Sequence, residues 1–118
     1  MRQAPAIDAF GDGGFRISGV RYAGSVLILD DTVRPWPVRR LADASPESLD
    51  AVAQVGAAKV ELVLLGTGAR QGLPPKLLRA ALQRVGLGLE FMDTGAACKM
   101  YNYLASEGRR VAAALIAV

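Results

Sequence analysis

The sequence predicts a single α/β domain spanning residues 1–118, and three observations carry that expectation. From about residue 60 onward, strand-like and helix-like stretches alternate as βαβαβ. Ahead of them, short apolar–polar alternations are interrupted by glycines, the pattern of antiparallel strands. The 118 residues are 52% apolar and hold no linker, repeat or low-complexity run, so one core can be buried.

The elements follow in chain order. Residues 1–12 show no strong period and are expected to be loosely ordered, and "GDGG" at 11–14 reads as a turn. Phe15, Ile17, Val20 and Tyr22 alternate with Arg16, Ser18 and Arg21, with Gly19 and Gly24 as breaks. Short antiparallel strands are expected there, ending in a stronger one over 25–29 that Asp30-Asp31 stops. Trp36 lies between Pro35 and Pro37, which predicts an extended, non-helical path. Ser45-Pro46-Glu47 opens a helix. Serine caps, proline fits the first helical position, and Glu47 and Asp50 complement the dipole. The apolar run over 60–65 predicts a buried strand. Pro74-Pro75 then lead into an amphipathic helix whose Leu78, Leu82 and Val85 face the core and which Gly86 ends. Residues 88–92 form another strand. A helix capped at Thr94 runs to Gly108, and the last strand begins beyond Arg109-Arg110. Strands 60–65 and 88–92 are expected to be parallel neighbours.

Composition excludes several chemistries. The chain has no histidine, which removes Ser-His-Asp and Cys-His catalysis and imidazole-bound metals. One cysteine, Cys98, permits neither an internal disulfide nor a multi-cysteine metal site. General acid–base work would fall on carboxylates, Lys, Tyr or Cys; no metal, no cofactor and no defined catalytic set are expected. The net charge of +3 is spread among intermixed acids and bases, without the dense patch of a nucleic-acid surface. No stretch approaches the ~20 apolar residues of a membrane helix, and the N-terminus lacks a signal-peptide core. A cytoplasmic bacterial protein without an integral membrane segment is expected.

The stretch "LVLLGTGARQGLPP" at 62–75 brings a strand, a glycine turn and a helix start together. It fails as a dinucleotide fingerprint, because Gln71 stands where the third glycine belongs. It is no P-loop either, and Pro75 removes one N–H that a phosphate would use. Ligands in parallel sheets gather beyond the carboxyl ends of strands. Gly66, Thr67, Gly68 and Arg70 leave one such end, and Asp93 and Thr94 leave the next. These six residues are the candidate crevice for a partner or, alternatively, for a small anionic ligand bound or acted on by an enzyme. The plain reading is a turn whose glycines allow positive φ, with Arg70 solvated or paired with Asp93.

Other candidates divide similarly. Tyr101 shares a core-facing stripe with Ala97 and Leu104, and Asn102 points toward a loop backbone. Cys98 reads as a small buried hydrophobe. Glu90 and Asp93 either act as an acid and base across a strand end, or Glu90 ion-pairs with a basic residue. Trp36 either covers a sheet edge or anchors a partner.

The loop "GTG", the segment "EFMDTG", the pair Tyr101-Asn102 and "EGRRVAAAL" together carry a resemblance over nearly the whole chain. The sequence resembles a family of small uncharacterised bacterial and archaeal proteins. Its eukaryotic relatives include mitochondrial complex I (NADH dehydrogenase) assembly factor 3 and the adipogenesis-associated domain protein. The resemblance implies a mixed central sheet with helices on its faces and an added N-terminal antiparallel hairpin layer. It also implies a non-enzymatic role with a protein partner in respiratory-complex assembly. The family usually has threonine before Tyr-Asn, where this chain has Met100.

Overall fold

A computed structural model describes residues 3–118. Three tight hairpins organise the N-terminal third. Strands β1 (Ile7–Gly11), β2 (Gly14–Ile17) and β3 (Val20–Ala23) form an antiparallel three-stranded sheet in that order. Asp12-Gly13 and Ser18-Gly19 turn the chain with positive φ at both residues, the backbone that matches the twist of paired strands. Residues 1–12 were expected to be loose. Met1 and Arg2 lie outside the described residues, but Ile7–Gly11 is a paired strand. Phe10 stands opposite Phe15 and Ile7 opposite Ile17, so β1 is held by ladder bonds that its own weak pattern does not reveal.

The main sheet has five strands, with β4 (Val26–Leu29) and β5 (Thr32–Pro35) joined through Asp30-Asp31. It continues with β6 (Leu62–Gly66), β7 (Gly88–Met92) and β8 (Val111–Leu115), in the order β5-β4-β8-β6-β7. β6 runs parallel to β7 and β8, whereas β4 is antiparallel to both β5 and β8. The sheet is therefore mixed, and strands β6 and β7 are the parallel neighbours expected from the sequence.

Period-two side-chain alternation sorts the core onto two faces. Val63 and Leu65 of β6, with Ala112 and Ala114 of β8, pack against Leu49, Val52, Leu78 and Leu82. These come from a 3-10 turn (Pro46–Leu49), α1 (Asp50–Val55) and α2 (Lys76–Arg84). Leu64, Ala113 and Leu115 point the other way, against Phe15 and Ile17 of the small sheet and Ala97, Cys98 and Tyr101 of α3 (Thr94–Ser106). β8 is buried along its whole length, and its three alanines leave room for layers on both sides.

Local differences have local causes. The first helix is split. Ser45 caps the 3-10 turn by accepting from the Ser48 N–H, and the α-helical part begins only at Asp50. Val85, expected in the core, is 37% exposed, because α2 ends at Arg84 and Val85 already has non-helical angles. The last helix begins at Thr94, but its cap is Asp93, whose Oδ1 accepts from the Ala96 N–H at 2.9 Å. On the edge strand β7, the Arg79 guanidinium lies 5.3 Å from the centre of the Phe91 ring and covers it.

Candidate functional site

The carboxyl ends of β6, β7 and β8 converge on the loop after β6. The Thr67 N–H donates to Met92 O at 2.8 Å, and the Ile116 N–H donates to Gly66 O at 3.0 Å, so the ladders continue past the strands. Gly68 and Thr94 then bond reciprocally. The Gly68 N–H donates to Thr94 Oγ1 at 3.0 Å, and the Thr94 N–H donates to Gly68 O at 2.8 Å. The Thr94 hydroxyl proton goes to Ile116 O at 2.7 Å.

Thr67 does the same for the loop itself. Its hydroxyl donates to Arg70 O at 2.7 Å, with Met92 O a longer second acceptor at 3.1 Å. The same oxygen accepts from the Gly72 N–H at 3.2 Å. Thr67 and Thr94 are the two buried threonines of the chain, and every buried side-chain nitrogen or oxygen among the described residues has a partner. Gly66 is required by closeness. A Cβ there would come within 3.0 Å of Thr94 Oγ1 and 3.1 Å of Leu115 Cδ2. Gly68 is required by conformation, since its φ is +111°.

Five of the six crevice residues thus meet, but in a closed network. Their hydroxyls and Asp93 Oδ1 bond to backbone groups, which is what an internal brace needs. Arg70 is the exception. Its carbonyl belongs to the network while its side chain is exposed, with no ion pair among the described residues. The bridge to Asp93 does not form.

Trp36 is 4% exposed and sits in the core, donating its indole N–H to Ser48 O at 2.8 Å. The exposed partner-anchor reading does not fit that position. Instead Trp36 ties the extended segment after β5 to the 3-10 turn. Tyr101 is buried beside Cys98. Burial pushes the Cys98 thiol up to about 12, so it stays protonated and unreactive. Glu90 is exposed on the edge strand, and Asp93 is a helix cap. Met100 is 41% exposed on the outer face of α3, away from the threonine network.

Asn102 has a specific task. Its Oδ1 accepts from the Ile7 N–H at 2.9 Å and its Nδ2 donates to Ile7 O at 2.8 Å. The amide imitates a neighbouring strand and covers the outer edge of β1. No sequence period announces that contact, because its partners are 95 residues apart.

The open spaces lie elsewhere. A cavity of about 230 Å³ at the amino ends of β6 and β8 is lined by Asp30, Asp31, Lys59 and Arg110, and Lys59 lies 3.8 Å from Asp30. A groove of about 360 Å³ separates β1 from α3. Among the described residues no cluster of His, Cys, Asp or Glu could hold a metal ion, and no helix is long and apolar enough to cross a membrane.

Known proteins share this fold. A Bartonella henselae structure described as an outer membrane protein is 31% identical. It superposes with a TM-score of 0.91, covering 98% of this chain and 96% of that one. A solution structure from Rhodopseudomonas palustris is 41% identical with a TM-score of 0.82, covering 100% and 89%. Mouse NADH dehydrogenase [ubiquinone] 1 alpha subcomplex assembly factor 3 is 38% identical over 97% of this chain. This chain spans 61% of that relative's length. An uncharacterised Rhodobacter capsulatus protein is 39% identical over 93% of this chain and 82% of its own. The family profile described as protein of unknown function (DUF498/DUF598) matches residues 7–116, and the chain belongs to that family.

Proposed function

We propose that the chain is a non-enzymatic, protein-binding protein that acts as an assembly factor, with a respiratory NADH dehydrogenase as the complex it serves. The observation that carries this reading is the similarity to assembly factor 3 over 97% of the chain. The site chemistry supports it. The polar groups beyond the parallel strands are consumed internally, the cysteine is held as a neutral thiol, and the chain has no histidine. A brace of this kind makes a rigid scaffold rather than a reaction centre.

The test is deletion of the gene in the source organism, with assembled NADH dehydrogenase measured on native gels. Loss of the mature complex with accumulation of smaller intermediates is expected, with recovery on re-expression. An unchanged level of the mature complex would remove respiratory assembly from the proposal.

A further inference from the structure

The loop braced by Thr67 ends by turning two leucines outward. Leu73 is 80% exposed and Leu77 is 71% exposed, an unusual degree for two large apolar side chains four residues apart in sequence. Around them the charge is one-sided. Residues 62–89 contain four cations, Arg70, Lys76, Arg79 and Arg84, and no carboxylate. Arg84 lies seven residues after Leu77 and so shares its helix face.

We propose that Arg70, Leu73, Lys76, Leu77 and Arg84 form a peripheral docking surface for an anionic lipid bilayer. The leucines enter the headgroup region, and the cations lie against lipid phosphates. This goes beyond the assembly role and does not depend on it.

Three observations favour a bilayer over a protein. First, the leucines project rather than line a recess, and none of the cavities described above borders either of them. Exposed apolar side chains in a segment whose only charges are positive suit a fluid anionic interface, which needs no matching shape. Second, Lys76 opens α2, where the helix dipole disfavours a cation and no acidic residue offsets it. An anionic surface supplies the missing charge. Third, Arg70, Lys76 and Arg84 have no ion pair among the described residues, so they are available. The nearby acids are few. Asp43 is paired with Arg40 at 3.6 Å, and Glu47 lies on the 3-10 turn that packs against α2.

Vesicle flotation tests the proposal with the whole chain. Wild type is expected to float with phosphatidylcholine vesicles containing about 30% phosphatidylglycerol. It should stay behind with pure phosphatidylcholine, and lose binding between about 50 mM and about 500 mM NaCl. Leu73→Ala/Leu77→Ala should lower partitioning by at least about tenfold. Arg70→Gln/Lys76→Gln should lower it by roughly thirtyfold. Arg16→Gln/Arg34→Gln, equal in charge but on other strands, should bind as wild type does. Unchanged melting temperatures would show that all variants fold. Wild type that fails to float with the anionic vesicles overturns the proposal, as do leucine variants that float equally. So does a wild-type dimer that Leu73→Ala/Leu77→Ala dissociates, because the patch then belongs to a second copy of the chain.

Discussion

The Thr94 hydroxyl joins three segments, accepting from Gly68 after β6 and donating to Ile116 after β8 while opening α3. Thr94→Val keeps the shape and removes both bonds, leaving buried backbone groups unpaired. A loss of about 1–3 kcal/mol is expected from urea unfolding, with Thr94→Ser recovering most of it. Two ionisable groups give opposite pH signatures. Burial of Cys98 costs no charge while the thiol is neutral, below pH 9.0. It destabilises the fold increasingly as the pH rises from 9.0 toward about 12. Cys98→Ala should flatten that alkaline decline, and alkylation of the native thiol at pH 8 should be far slower than in urea. Glu61 works on the acid side. The Arg110 N–H and then the Arg109 guanidinium hold its carboxyl below its ordinary 4.5. Its stabilising contribution is therefore present above 4.5 and lost as the pH falls through the lowered value. Glu61→Gln should flatten acid unfolding in that range, followed by circular dichroism.

At the scale of elements, the parallel half was readable because its signals are local. Residues 88–92 form β7 as expected, since Gly88 and Asp93 bound a short apolar run. Leu78 and Leu82 mark the buried face of α2 by spacing alone. β1 was not readable, because its strand character comes from pairing with β2 and from the Asn102 amide across 95 residues. The cap of α3 was misplaced by one residue for a related reason. Thr94 is a good cap by type, but its hydroxyl is claimed by Ile116 O, and Asp93 takes the role. The site followed the same rule. The positions of Gly66, Thr67, Gly68, Asp93 and Thr94 beyond the strands could be inferred, whereas their mutual satisfaction could not. Asn102→Ala should test the clamp on β1. Faster hydrogen exchange at the Ile7 amide is expected, with little change in β6 or β8.

For the whole molecule, the layers explain how a small protein closes its core on both faces of one sheet. One mixed sheet is covered on one face by α1 and α2, and on the other by α3 and the three-stranded sheet. The strand ends where this fold would host a ligand are closed by two threonines, and what the loop offers to its surroundings is Arg70, Leu73 and the start of α2. The proposed assembly role accordingly rests on the outer surface and on the similarity to assembly factor 3. The most direct measurement is affinity capture from extracts of the source cell, with wild type as bait and bound proteins quantified by mass spectrometry. The account predicts reproducible enrichment of a small set of proteins that includes subunits or assembly partners of NADH dehydrogenase. Repeated captures that recover no specific protein would contradict it.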